Sequence, residues 1–405
     1  MKYLVILTDG MADEPVGELN NLTPLQFART PNMDYLAQRS VLGLAMTIPA
    51  GFSPGSDVAN LSVLGYDPRR FYTGRSPLEA VSMGITMNPE DLAVRCNLVT
   101  LSEKLPYEQK TMLDYSAGEI SNHEAAQLID TVNRQLGGGH FAFYPGVSYR
   151  NLMIWPRANE KNLTLTPPHD ISDKRIANYL PAGKDGLDLL SLMKKSFDIL
   201  ERHPLNSKRK ERGQAPANSI WLWGEGRKPH LTSFTARFNL KGSVVAAVDL
   251  VKGLGISAGL TPIKVEGATG GIKTDFAGKC KAALDELRRG QDFVYLHIES
   301  PDEAGHQGNL KQKIWSIEQI DQLVVGQVLN CLEEFKALKI LLQPDHPTPV
   351  ATKTHSSAPV PFMIFDNTNV SFNPGSVYDE VSVRDGLFID PGCELMEFFI
   401  TGKLT

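Results

Sequence analysis

The sequence predicts an α/β fold: a mainly parallel sheet flanked by helices, with a smaller inserted α/β (α+β) domain. Three observations carry this. Short apolar runs alternate with amphipathic stretches, the pattern of βα repetition. The clearest runs lead into acidic residues, as at the carboxyl edge of an open parallel sheet. A middle stretch then brings its own strand candidates and a helix before the first pattern resumes. We therefore divide the chain into a discontinuous domain, residues 1–76 and 236–405, and an insert, residues 77–235. Its 405 residues suit two or three domains, and such a chain buries about three quarters of its unfolded surface.

The elements follow in order. Tyr3–Thr8 (YLVILT) reads as a buried strand, and so do Asp292–His297 (DFVYLH), Leu338–Gln343 (LKILLQ) and Val360–Phe365 (VPFMIF). Val58–Leu64 is helix-like. Phe276–Arg289 reads as a helix with Asp275 at its N-cap. Lys311–Ala337 has the 3.6-residue apolar period of a long helix, with Gly326 a weak point inside it. In the insert, Leu92–Leu101 and Asn151–Trp155 are strand candidates and Leu187–Arg202 a helix. Asn206–Ala217, with its KRKER run, reads as an exposed loop.

Composition narrows the function classes. Lys+Arg 41 against Asp+Glu 46 gives a net charge of −5, which argues against nucleic-acid binding through a global basic field. The apolar start, Tyr3–Leu7, is too short for a signal peptide. No apolar run reaches membrane-spanning length. Cys96, Cys280, Cys331 and Cys393 are widely spaced and form no C-x-x-C pair, as expected of free thiols in a reducing cytoplasm. The expected location is cytoplasmic. Oligomeric state is left open by the sequence.

Chemistry concentrates after the strand candidates. YLVILT ends on Asp9, DFVYLHIESP leads to Asp302, and LKILLQP leads to Asp345-His346. Asp302 and His306 are spaced i, i+4, so one helical face would carry both, with Ser300 as a cap and Pro301 at the first helical position. His355 follows in KTHSSAPVPF. Any one of these also fits a cap or turn. Gathered on one sheet edge, the carboxylates would repel one another unless divalent cations lay between them, and two such ions would suit the set. Mixed imidazole and carboxylate donors favour manganese, zinc or cobalt over magnesium. A nucleophile is available: Ser56 ends a Gly/Pro-rich loop where a helix begins, a position that favours anions and equally suits an N-cap.

These stretches resemble the cofactor-independent phosphoglycerate mutases, archaeal-type branch, in the alkaline phosphatase superfamily. ILTDGMAD, PGSDVANLSVLGYDP, YTGRSPLEA, DLAVRCNLVT, VEGATG, YLHIESPDEAGH, PDHPTP and THSSAPVPF carry the resemblance, from residue 6 to residue 362. It implies an alkaline-phosphatase-like catalytic domain with an inserted substrate domain. The implied enzyme is an isomerase that interconverts 2- and 3-phosphoglycerate, a small-molecule substrate, without added bisphosphoglycerate. Ser56 would be transiently phosphorylated. Asp9, Ser56, Asp345 and His346 would ligate one metal, and Asp302, His306 and His355 the other, with Mn2+ expected before Mg2+, Co2+ or Zn2+. Arg75, Arg95, Arg150 and Lys264 are the implied cations for substrate, and His169-Asp170 a proton-transfer pair. Lys273 before Thr274-Asp275 departs from the acidic residue the resemblance leads one to expect. A phosphatase or phosphodiesterase with the same site, or a related mutase such as a phosphopentomutase, is the alternative. A non-catalytic metal-binding protein is a more distant one.

Overall fold

The computed structural model describes residues 1–158, 163–370 and 372–404. In chain order its strands are β1 (Lys2–Thr8), β2 (Ser40–Ala45), β3 (Leu92–Leu101), β4 (Met112–Asp114), β5 (Ala142–Val147), β6 (Arg150–Trp155), β7 (Ser219–Arg227), β8 (Gly242–Val245), β9 (Thr261–Ile263), β10 (Phe293–Ile298), β11 (Leu338–Gln343), β12 (Val360–Asp366) and β13 (Leu387–Ile389). The chain separates into two compact units, Met1–Tyr72 with His230–Thr405, and Thr73–Pro229. Both joints fall a few residues earlier than composition placed them. Thr73 Oγ1 donates to the Arg227 carbonyl and Ser76 Oγ to that of Gly224, tying the first residues of the second unit to its last strand.

The first unit is built on an eight-stranded sheet of order β13-β2-β12-β11-β1-β10-β8-β9. Strands β11, β1, β10, β8 and β9 run parallel. β12 is antiparallel to both its neighbours. The central strands read as unbroken apolar runs because helices cover both faces; Leu4, Ile6, Val294, Leu296, Ile340 and Leu342 lie in one buried cluster. Asp275 caps the helix Phe276–Arg288 by accepting from the Gly278 N–H.

The long amphipathic stretch is not one helix. Leu310–Ile320 is α-helical, Asp321–Val325 makes a π turn, and Gly326–Asn330 resumes the helix. The Asp321 carboxylate accepts from the Met33 N–H at 2.7 Å and from Asn32 Nδ2 at 2.8 Å, docking the turn on the helix Pro31–Ala37. A Cβ at Gly326 would sit 3.3 Å from Asn32 Nδ2, so the bare glycine permits that approach.

The second unit holds an antiparallel sheet in which β3 pairs with β4, β6 and β7, and β6 with β5. β3 is buried along its whole length. Helices Asn122–Leu136 and Gly186–Leu200 supply Leu128, Ile129, Leu189 and Met193 to its core. The segment read as an exposed loop contains a helix, Pro204–Glu211. Arg209 in the basic run is 2% exposed and pairs with Glu124 at 2.5 Å, while its Nη2 donates to the Ala117 carbonyl. The run has no apolar period, so sequence pattern could not distinguish its one buried cation from its solvated neighbours. No helix among the described residues is long and apolar enough to cross a membrane.

Candidate metal centre and nucleophile

The carboxyl ends of β11, β1 and β10, adjacent in the sheet, deliver the acidic residues to one edge. Asp9 directly follows β1. Gly10 follows at φ 63°, and a Cβ there would lie 2.6 Å from Asp302 Cα, so only glycine lets this turn pass the helix Ser300–His306. Asp302 and His306 stand one turn apart on that helix. Its N-cap is Glu299 rather than Ser300, whose Oγ instead lies 2.6 Å from Ser316 Oγ. Gly55 holds the cap position before the helix Ser56–Val63, leaving Ser56 as the first helical residue.

Ser56 and the six Asp and His residues singled out with it come together. Potential ligand atoms of Asp9, Asp345 and His346 lie within 4.8 Å of one another, and so do those of Asp302, His346 and His355. His346 Nε2 is 3.0 Å from Ser56 Oγ, 3.4 Å from Asp345 Oδ2 and 3.6 Å from Asp9 Oδ1. His306 Nε2 is 3.3 Å from Asp302 Oδ2 and 2.9 Å from His355 Nε2, which is itself 3.4 Å from Asp302 Oδ1. Asp345 and His346 are fully buried, whereas His306 is partly open.

The electrostatics are those of a crowded acidic site. Burial, then the neighbouring Asp345 and Asp302, raises Asp9 well above the usual carboxylate range. Burial alone would raise Asp302 as well, but hydrogen bonds from His306 and His355 outweigh it and hold that carboxyl well below its ordinary value. The bond to Asp302 lifts His306 to about 9. Burial lowers His346, which favours the neutral imidazole a metal requires. Asp9 Oδ1 is buried and accepts no hydrogen bond. An orphaned carboxylate oxygen among imidazoles and two further carboxylates fits divalent cations.

A second cluster belongs to the second unit. Arg95 on β3 and Arg150 at the start of β6 share one face of the paired strands, since Arg150 stands opposite Asn97. Glu79 joins Arg95 to Arg75, each at 3.1 Å. Arg95 is 6% exposed and stacks over Trp223 at 4.7 Å. Burial lowers its pKa against the pull of Glu79, and the Arg75 and Arg150 charges lower it further. His169 lies edge-on to Trp223 at 5.2 Å and to Tyr115 at 6.1 Å. Partial burial, opposed by Asp170 and reinforced by Arg95 and Arg75, depresses its pKa. Asp170 is 3.7 Å from His169, and both are about half exposed. Lys264 is exposed just after edge strand β9 and forms no ion pair with the carboxylates around Ser56.

Comparison with known proteins places this architecture. A family model described as 2,3-bisphosphoglycerate-independent phosphoglycerate mutase matches residues 37–206. A relative of that name from Methanothrix thermoacetophila is 47% identical over 404 residues, covering 99% of this chain and 100% of the relative. One from Methanosarcina mazei is 47% identical over 387 residues, covering 95% and 96%. The chain belongs to the 2,3-bisphosphoglycerate-independent phosphoglycerate mutase family. A solved cofactor-independent phosphoglycerate mutase from Thermoplasma acidophilum superposes with a TM-score of 0.64 at 26% identity, covering 98% of this chain and 100% of that one. The PH0037 protein of Pyrococcus horikoshii superposes with a TM-score of 0.81 at 31% identity, covering 98% and 96%.

In this mutase-family chain, sequence reasoning missed the layer behind the cluster. Asn60 Nδ2 donates to Asp345 Oδ2 at 2.8 Å, and Thr348 Oγ1 to Asp302 Oδ1 at 2.5 Å. His297 Nε2 is 3.1 Å from Asp9 Oδ2 and its Nδ1 3.0 Å from Glu299 Oε1; both contacts are at ion-pair distance but off the hydrogen-bonding axis. Burial would lower His297, but Glu299 and Asp9 lift it to about 10. Glu299, despite burial, is held down to about 2 by Lys279 and His297. One signal was legible: Lys279 shares the apolar face of its helix with Phe276 and Ala283, where a lysine needs a buried anion.

Proposed function

We propose that the chain interconverts 2- and 3-phosphoglycerate through a phosphoserine at Ser56, with two divalent cations at the sheet edge. The observation that carries this is Ser56 Oγ, 3.0 Å from His346 Nε2 in a donor set that leaves Asp9 Oδ1 without a partner. Asp9, Ser56, Asp345 and His346 would hold one ion, and Asp302, His306 and His355 the other. Bound cations would neutralise phosphoryl charge and favour the serine alkoxide, and the mixed donors suit manganese.

Ser56 Oγ attacks phosphorus in line, and the P–O bond to glycerate breaks as the bond to serine forms. The helix N-terminus at Ser56 presents N–H groups that favour the transferring anion. The other hydroxyl of retained glycerate then attacks phospho-Ser56 and releases the isomer. Water would divert the phosphoryl group to hydrolysis, so glycerate must be held. Arg75, Arg95 and Arg150 are the proposed holders of its carboxylate, a role suited to guanidinium forks; His169 and Asp170 are the proposed proton carriers.

The test is an enolase-coupled assay on 3-phosphoglycerate run beside a free-phosphate assay, with no bisphosphoglycerate added. Many turnovers of 2-phosphoglycerate per phosphate released are expected. Phosphate as the main product would make the chain a phosphatase. Arg95→Ala and Arg150→Ala are expected to lower mutase turnover more than phosphate release, because loss of glycerate hands the phosphoenzyme to water. Equal proportional loss of both products would show that neither arginine governs retention.

Asp302→Ala and His355→Ala are each expected to leave one tightly bound ion of two, since both residues are assigned to the same cation and a site with two protein ligands binds weakly. Metal analysis after gel filtration reads this. Two retained ions in both variants would break the assignment.

A further inference from the structure

We propose that Lys279, Glu299 and His297 form a buried positioning chain that sets the orientation of Asp9 for one cation only. This rests on the two-ion reading above. Lys279 Nζ is fully buried and lies 2.7 Å from Glu299 Oε2 and 3.1 Å from the His297 carbonyl. Glu299 reaches His297, and His297 reaches Asp9 Oδ2, each through contacts of 3.0–3.1 Å. No member of the chain is more than 6% exposed. Asp9 is thereby held through one oxygen, and its other oxygen, Oδ1, faces His346 without a partner.

Packing alone does not account for this arrangement. A buried lysine and glutamate are costly, and apolar residues of like volume often fill such a space as stably. The charges add direction. Glu299 anchors one side of the imidazole, so the other side meets Asp9 from behind, as outer partners orient metal ligands elsewhere. A second buried lysine provides an internal comparison. Lys313 Nζ meets Asp13 Oδ2 at 2.7 Å and the Thr348 carbonyl at 2.8 Å. Thr348 Oγ1 in turn reaches Asp302, and lies 3.3 Å from His346 Nδ1. Lys313, Asp13 and Thr348 make no hydrogen bond or ion pair with Asp9 and reach its Oδ1 only by way of His346, 3.6 Å from it.

The test is a Co2+ titration of the metal-free full chain, followed by visible absorption and calorimetry, for wild type, Lys279→Met, Glu299→Gln, His297→Leu and His297→Gln. Two binding steps are expected in wild type. In the first three variants one step should weaken about 10- to 100-fold while the other holds its affinity and spectrum. His297→Gln puts an amide N–H where the imidazole stood, within reach of Asp9, and should recover part of what His297→Leu loses. If Lys279→Met does not fold, the near-isosteric Glu299→Gln decides. Two unchanged steps in the folded variants, or equal weakening of both, would overturn the positioning chain while leaving the two-ion reading intact. Fewer than two steps in wild type would overturn both.

Discussion

Ser56→Ala is expected to remove turnover and leave the fold in place. The two effects separate because of where the serine sits. Gly55 occupies the cap position, and Ser56 Oγ faces His346 Nε2 at 3.0 Å rather than capping the helix, so the helix Ser56–Val63 loses no cap when Oγ is removed. The stability change should stay within about 1 kcal/mol, the ordinary scale of a lost cap. The rate is another matter. If Oγ is the atom that takes the phosphoryl group, no neighbouring atom replaces it, and loss of a covalent nucleophile costs on the order of 10⁴-fold or more. A brief pulse of 3-phosphoglycerate should place phosphate on Ser56 of the unmodified chain, found by mass spectrometry of the peptide. An alanine variant that keeps a tenth of wild-type turnover would refute the role.

How much of this was legible depends on element length and on what a residue's neighbours reveal. The runs at β1, β10 and β11 are long, apolar and bounded, so their ends could be named, and with them Asp9, Asp302 and Asp345. β8, β9 and β13 have three or four residues, too few to show a period, and β2 carries a glycine midway. The cluster was readable because a sheet gathers residues that follow adjacent parallel strands. His297 was not, because a histidine at the end of an apolar run gives no sign of facing Asp9. Glu79, which links Arg75 to Arg95, was equally silent: the spacing to Arg75 is helical, but that to Arg95 depends on how the helix Ser76–Ser82 lies on β3. The buried Arg209 was hidden by its own charge, in a run that reads as solvated.

Withdrawal of divalent cations is expected to abolish turnover and to lower the melting temperature of the chain. Three carboxylates share the sheet edge, with ligand atoms less than 5 Å apart within each group. Two like charges at that distance repel by about 3–4 kcal/mol at an effective dielectric of 20. The protein offsets part of this: His297 stands behind Asp9, and His306 and His355 beside Asp302. Asp345 is fully buried, and besides the neighbouring His346 ring it meets only dipoles, the N–H groups of Gly10 and His346 and the amide of Asn60. A cation between Asp345 and Asp9 would relieve the repulsion that, with burial, raises Asp9 well above the usual carboxylate range. An ion present at a hundred times its dissociation constant stabilises the folded state by about 2.7 kcal/mol, enough to move a melting curve by several degrees. Exhaustive chelation should therefore lower the midpoint and stop 2-phosphoglycerate formation together, and manganese should restore both. Magnesium should restore less, because His346, His306 and His355 are nitrogen donors that a hard oxygen-seeking ion uses poorly. Full turnover by a chain that elemental analysis shows to be free of metal would overturn the cation requirement. Equal rescue by magnesium and manganese would show that the imidazoles do not choose the ion.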